Sequence, residues 1–373
     1  MELSNTSTLD SGLRKPSFYQ SRMSPFRFQL RSLFLNLINK ESPSLGYLQS
    51  YFRCKSLDYY FLYSANLGAH MFYVLMCPLP GWFGYTKLLR DSVAVLGLGI
   101  YLTGFVKDYL CLPRPRSPPL RRLTLSHYTA QECGCPSSHT ANATSVCLLA
   151  LHLLSNSWDD HSLLFNLSIL ITTSVYFLTL VLGRIYCGMH GYVDLAVGSI
   201  IGSAVFVIRM YLGDWWDEIL LNDPSILVPL GLTAFYYLLV YLHPVALDPC
   251  PCFEDSVSFV GVLIGLDTIH WLLANYSTGI DGFKPEDVPF TYEGLPKMAL
   301  RIAVGVASVS IWKSASKPVL MKVIGWKGEK ERKGKSYGEK DRGDGEIIVR
   351  MIVYAGIPMM VVLGKYLFTM AGV

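Results

Sequence analysis

The stretch Gly183-Arg-Ile-Tyr-Cys-Gly-Met-His-Gly-Tyr-Val-Asp194 lies between two long apolar runs, and its reading decides the fold. Arg184 offers a planar fork of donors that suits a phosphate. His190 and Asp194 are four residues apart, so on one helical turn the carboxylate can hold the imidazole. Such an Asp fixes the tautomer and leaves the other ring nitrogen free to attack. Arg184 and His190 would point about 240° apart on an unbroken helix, at about 100° per residue. Gly183, Gly188 and Gly191 supply places where one helix can end and another begin, so both groups can converge on one ligand at a membrane border. Taken alone, the stretch fits equally well an arginine closing one membrane helix and a satisfied His-Asp pair opening the next.

The surrounding composition supports a membrane setting. Of 373 residues, 51% are hydrophobic and 16% charged, which is too apolar for an ordinary soluble protein. The chain reads as an all-α, polytopic membrane helix bundle. Apolar runs long enough to cross a core of about 30 Å lie near 61–79, 91–106, 139–155, 163–183, 192–212, 225–243, 257–274, 296–312 and 347–371. Arg301 makes the eighth the weakest. The first sixty residues are polar and basic, unlike a cleavable signal peptide. Net charge is +4, with Arg14, Lys15, Arg22, Arg27, Arg31, Lys40, Arg53 and Lys55 ahead of the first run. Cations in that position answer to anionic lipid head groups, so membrane lipids rather than nucleic acid are the expected partners. Pro25 to Asn39 alternates apolar and basic residues and reads as an amphipathic interfacial segment. Lys327 to Glu346 is mixed in sign and Gly-rich, and reads as a solvated, mobile loop.

Working back from Arg184, two more stretches carry chemistry. Lys107 closes the second apolar run, and Arg114 follows between Pro113 and Pro115 on an extended backbone, so two cations can reach one anion. Pro136-Ser137-Ser138-His139 then opens the third run as a helix start, with free N–H groups and the positive end of the dipole forming an anion site. His139 stands there as a candidate general acid. Separately, these are also an ordinary basic flank and an exposed loop histidine.

Together, Lys107-x6-Arg114-Pro115, Pro136-Ser-Ser-His139 and Gly183-Arg184-x5-His190-x3-Asp194 resemble the three-part signature of the type 2 phosphatidic acid phosphatase superfamily. The order and separations fit. Two positions depart: Ser138 replaces the usual Gly, as in the sphingosine-phosphate branch, and Gly183 replaces the usual Ser and removes one hydroxyl donor. The stretches Ser56-Leu-Asp-Tyr-Tyr-Phe61 and Pro136-Ser-Ser-His-Thr-Ala-Asn-Ala-Thr-Ser145 look like fungal long-chain base phosphate phosphatases.

The resemblance implies a six-helix lipid-phosphatase core over 58–212, a basic tail over 1–57 facing cytosol or interface, and additional transmembrane helices over 213–373. It implies that Lys107, Arg114, Arg184, Ser137 and Ser138 hold the phosphate, that His190 oriented by Asp194 is the nucleophile, and that His139 is the acid. No carboxylate cluster accompanies the signature, so neither metal nor other cofactor is expected. A sphingoid base phosphate is the implied substrate, in an endoplasmic reticulum membrane with the site on the lumenal side. Charge counting argues otherwise, because nine spans starting from a cytosolic tail put the motifs on the cytosolic side. Two alternatives stand beside this reading. One is a broad lipid phosphate phosphatase acting on phosphatidate and lysophosphatidate. The other is a membrane transporter whose cations bind an anion without chemistry, which His190→Ala would leave active. The sequence leaves a homo-oligomer open.

Four further features carry expectations. Asn66 and His70 are read as a hydrogen-bonded pair between helices. Asp214, Trp215, Trp216, Asp217 and Glu218 read as an acidic, aromatic interfacial loop. Asp267 and His270 share a helix face and are costly unless paired. The pairs Cys133/Cys135 and Cys250/Cys252 do not fit a metal spacing, and should share one side of the membrane, where either a cross-link between the pairs or free, locally capped thiols is open.

Overall fold

The computed structural model describes residues 11–126, 129, 131–276, 294–324 and 344–370. Four helices make the core: α6 (Thr86–Leu110), α7 (Ser138–Asn156), α8 (Leu163–Tyr186) and α9 (Tyr192–Asn222). The first helix of this group, α6, is preceded by α1 (Pro16–Gln20), α2 (Pro25–Phe52), α3 (Lys55–Ser64), α4 (His70–Met76) and α5 (Pro78–Trp82). After the core come α10 (Leu227–Leu242), α11 (Cys252–Tyr276), α12 (Gly294–Ile324) and α13 (Asp344–Met370). The described residues contain no strand, and six helices, α6, α8, α9, α11, α12 and α13, are long and apolar enough to cross a membrane. The chain is a polytopic helical membrane protein. The expected loop over 327–346 falls almost entirely outside the described residues.

The core is centred on α7, which packs against α6, α8 and α9. Gly198 and Gly202 of α9 face the carbonyls of Ser137 and Ala141 so closely that a Cβ at either would collide with α7 backbone. Small residues one turn apart let two membrane helices touch through their backbones. A second layer follows the same rule: α11 packs on α6 and α13 packs on α11, with Gly261 and Gly265 against the backbone of Met351 and Ala355. Leu164, Ile171, Val175, Leu178 and Leu182 of α8 are exposed, as an apolar helix face turned to lipid should be.

The first apolar run is not one helix. Asn66, Gly68, Pro78, Pro80 and Gly81 break it into α3, a 3-10 turn over Ala65–Gly68, α4 and α5. The broken segment still runs the length of the bundle. It starts where Tyr186 donates to Asp58 at 2.7 Å, passes Tyr73 against Tyr176 at 2.9 Å, and ends with Trp82 donating to Val361 at 3.2 Å.

Pro25–Asn39, expected to be an amphipathic segment, lies within a longer helix. Ile38, Ser42, Leu45 and Gln49 of α2 form one buried stripe at helical spacing. This helix lies across the end of the bundle that carries the motifs and satisfies open helix termini there. Arg27 donates to the carbonyls of Asp108 and Tyr109 at 2.8 and 2.5 Å, closing α6. Gln49 donates to the carbonyls of Arg121 and Tyr186 at 2.8 and 2.7 Å, closing α8, and Glu41 accepts from Val193 N at 3.1 Å at the start of α9. The described part of the tail and the motifs therefore share one end of the molecule.

Two other expectations are corrected, and the alternatives left open for the cysteine pairs are decided. Residues 214–218 are helix, not loop, because Arg90 and Arg209 neutralise Asp217 at 3.0 and 2.9 Å and α9 continues to Asn222. Asp267 and His270 do not pair with each other. Asp267 accepts from Tyr236 at 2.8 Å and Trp216 at 3.2 Å, while His270 Nδ1 bonds the Leu266 carbonyl of its own helix at 2.8 Å and its Nε2 has no hydrogen-bond partner among the described residues. Cys250 and Cys252 form a local disulfide while Cys133 and Cys135 are free thiols, so the two pairs are not cross-linked.

Candidate active site

Lys107 lies in the last turn of α6, Arg114 in the loop after it, Ser138 and His139 at the start of α7, and Arg184 in the last turn of α8. His190 occupies the short turn into α9, and Asp194 its first turn. All reach one end of the bundle. Arg184 and His190 face each other only because the chain doubles back. Gly188 adopts φ +63°, and the N–H groups of Met189 and His190 both return to the Arg184 carbonyl at 3.0 and 3.3 Å. A side chain at Gly188 would be strained by its φ and would press on the Arg121 carbonyl, 2.7 Å from the Cβ. This turn resolves the unfavourable helical spacing of the two residues.

The geometry assigns the imidazole tautomer. Arg114 Nη1 donates to the Met189 carbonyl at 2.7 Å and lies 3.2 Å from His190 Nε2, which must accept because a guanidinium has only donors. The ring proton is then on Nδ1, 3.5 Å from Asp194 Oδ2. Asp194 Oδ2 also accepts from Gly191 N at 2.9 Å, which ties the carboxylate to the turn that carries the histidine. Burial, followed by Arg114, Lys107 and Arg184, pushes the His190 imidazole well below its ordinary range. That direction favours the neutral imidazole, the form that a nucleophilic histidine requires.

Arg184 is 4% exposed, and its guanidinium makes no hydrogen bond among the described residues. It lines a cavity of about 270 Å³ whose wall also includes Asn66, His70, Glu132, Ser138 and His139. Lys107 reaches the same place from below, paired with Glu132 and 3.3 Å from Ser138 Oγ. Arg114 Nη2 is held by the Thr129 carbonyl at 2.6 Å. Arg184 thus lines the cavity itself, while Lys107 and Arg114 contact its wall residues Glu132, Ser138 and Thr129, and a buried charge without a partner is costly unless a ligand supplies one.

The two serines differ. Ser137 is fully buried and its hydroxyl caps α7, accepting from Thr140 N at 3.3 Å and Thr140 Oγ1 at 3.0 Å. Ser138 turns its hydroxyl to Lys107 instead, which gives the unusual residue at that position a purpose. Gly183 has a packing reason, since its Cβ would lie 3.0 Å from the Phe61 ring.

Neither Glu132 nor His70 was assigned to the site from the sequence. Glu132 is the one acid in a basic loop just ahead of the Pro-Ser-Ser-His turn, a signal that was legible. Burial alone would push its carboxyl up, but Lys107 and Arg114 outweigh that and hold it below the ordinary carboxylate range. His70 was read as a helix-packing residue, and the break in the first apolar run instead puts it on the cavity wall. The one group of metal-ligand type among the described residues, Asp108 with Cys250 and Cys252, lies outside this cavity and has its sulfurs bonded to each other.

Comparison with known proteins decides the family. A family model described as the PAP2 superfamily matches residues 88–218. A dihydrosphingosine 1-phosphate phosphatase of Saccharomyces cerevisiae is 38% identical over 374 residues, covering 95% of this chain and 89% of that protein. The chain belongs to the PAP2 superfamily. A second dihydrosphingosine 1-phosphate phosphatase, of Schizosaccharomyces pombe, is 35% identical over 84% of this chain and 75% of its own length. The sphingosine-1-phosphate phosphatase 2 of Homo sapiens is 27% identical over 74% and 67%. No solved structure matches the chain. Within this PAP2 chain the family match takes in all the motif residues and ends before α10, so α10 to α13 lie beyond it.

Proposed function

We propose that this protein hydrolyses sphingoid long-chain base 1-phosphates at the membrane border through a phosphohistidine on His190, without a metal ion. The observation that supports the reading is a buried guanidinium, Arg184, that makes no hydrogen bond among the described residues, together with an imidazole, His190, whose Nε2 accepts from Arg114 and so carries the ring lone pair. The names of the fungal relatives supply the substrate class.

In this mechanism Arg184, Arg114 and Lys107 take the non-bridging phosphate oxygens, helped by the free N–H groups at the start of α7. The His190 Nε2 lone pair attacks phosphorus, the bond from phosphorus to the lipid oxygen breaks, and His139 gives that oxygen its proton. Positive charge forming on His190 is met by Asp194 across the Nδ1–H. Water then attacks the phosphohistidine, passes a proton to His139, and the P–N electrons return to His190 as phosphate leaves. Ser137 acts by fixing the α7 start through its cap, and Ser138 by holding Lys107. We place the site on the lumenal face of the endoplasmic reticulum membrane, following the family resemblance; the packing of α2 then carries the tail to the same face.

The test is phosphate release by detergent-purified protein in EDTA from dihydrosphingosine 1-phosphate, phosphatidate and lysophosphatidate, beside His190→Ala. Release strongest from the sphingoid substrate and lost in the variant is expected. Equal release from all three would make this a broad lipid phosphate phosphatase, and activity retained in His190→Ala would overturn the mechanism.

A further inference from the structure

Glu132 is out of place in a phosphate site. It is 9% exposed, it lines the cavity beside Ser138, His139 and Arg184, and it engages Lys107, one of the cations that would serve the phosphate. A fixed carboxylate beside a bound phosphate repels it in a poorly solvated volume. That repulsion is offset when the substrate brings its own cation next to its phosphate. A sphingoid base phosphate does so through the ammonium on the carbon adjacent to the phosphorylated one, whereas phosphatidate has no cation. We propose that Glu132 binds the substrate ammonium and is the specificity-determining residue for amine-bearing lipid phosphates. The assignment rests on the phosphatase reading above and adds the chemical feature by which the site selects its lipid.

The experiment compares dihydrosphingosine 1-phosphate with octadecyl phosphate, which has the chain and phosphate but no amine. Wild-type kcat/KM should favour the amine substrate by about 10- to 100-fold, the range of a charge-assisted hydrogen bond. Glu132→Gln should collapse that ratio, through loss on the amine substrate with octadecyl phosphate held or improved, and Glu132→Asp should restore part of it. Equal loss on both substrates means that Glu132 only seats Lys107, and overturns the proposal. So does a wild-type enzyme that hydrolyses both lipids equally well, a result that needs no variant to fold. Wild type that releases nothing from the sphingoid substrate refutes the phosphatase reading itself.

A second observation stands independently. A cavity of about 340 Å³, within the ~300–1,000 Å³ of small-ligand sites, lies between α4, α6, α11 and α13 and shares His70 and Met71 with the phosphate cavity. Its lining includes the charged Glu254, Asp255, Lys313 and Arg350 and the apolar Val74, Val93, Leu96, Val262, Ile357 and Val361. From Arg350 to Val361 along α13 is about 16 Å at 1.5 Å per residue, over half the depth of a hydrocarbon core of about 30 Å. The geometry points to this cavity as the seat of the substrate's single chain, which makes α11 and α13, outside the family match, part of substrate binding. Val262→Phe should cut kcat/KM for an 18-carbon sphingoid phosphate at least tenfold relative to an 8-carbon one. An unchanged chain-length profile in the folded variant refutes the assignment. In wild type, a chain-borne diazirine should label α11 and α13; label confined to the lipid-facing side of α8 also refutes it.

Discussion

Gly68 offers a test of how His139, the proposed general acid, is held. It sits at the end of the 3-10 turn that replaces the middle of the first apolar run, and a Cβ there would lie 2.7 Å from His139 Cδ2 and 3.2 Å from Leu180 Cδ2. To reach ordinary contact at 3.4 Å the imidazole must retreat by at least about 0.7 Å. Displacements near 1 Å cost up to about 100-fold in rate when they move a group off its reacting geometry. Gly68→Ala should therefore lower kcat by about 10- to 100-fold on that scale. KM should change little, because none of the three cations touches the new methyl. Gly231→Ala, where a Cβ meets nothing within 4 Å, is the matched control and should leave kcat unchanged. The assay is phosphate release from sphingoid phosphate micelles, with Tm measured for both variants. A folded Gly68→Ala protein with wild-type kcat would show that the turn does not seat His139.

Arg184→Met should abolish phosphate release by about 10²- to 10³-fold, the cost of removing one preorganised donor, while Tm holds or rises because an unpartnered buried charge has gone; a lower Tm with activity retained would contradict the site. For His190 the folded pKa lies below the unfolded value of about 6.5, so as pH falls through that value the unfolded chain takes up a proton that the folded chain refuses, and stability drops. The acid-side fall in Tm below about pH 6.5 should therefore be shallower in His190→Gln than in wild type. Gln49→Ala removes the donors that close α8 and the Arg121 loop, and should destabilise the protein by about 1–3 kcal/mol without changing substrate preference. Tags at residue 11 and in the 114–126 loop should be accessible from the same side of sealed microsomes, and opposite accessibility would contradict the packing of α2 on the motifs.

The candidate residues could be picked out because phosphate chemistry needs particular side chains at particular separations, and the structure brings Lys107, Arg114, His139, Arg184, His190 and Asp194 to one end of the bundle. The turn that unites Arg184 with His190 was legible in outline, since three glycines in nine residues announce a break. What sequence periodicity could not reveal was the partner of each polar group. Asp217 looked like a loop acid until Arg90 and Arg209, from two helices, were seen to neutralise it. His70 looked like helix glue because hydropathy averages over Asn66, Gly68, Pro78 and Pro80, which interrupt the apolar run without making it polar. The stripe of Ile38, Ser42, Leu45 and Gln49 was hidden for a related reason: two of its four members are polar and are buried only because they satisfy backbone or helix ends.

The most direct measurement is rapid quench of purified protein with dihydrosphingosine 1-[32P]phosphate in EDTA, followed by gel analysis under alkaline and acidic conditions. The account predicts label on the protein that survives base, is lost in acid, maps to His190 and is absent in His190→Asn. Phosphate release at full rate with no protein-bound label, or release that stops in EDTA and returns with a divalent cation, would contradict it.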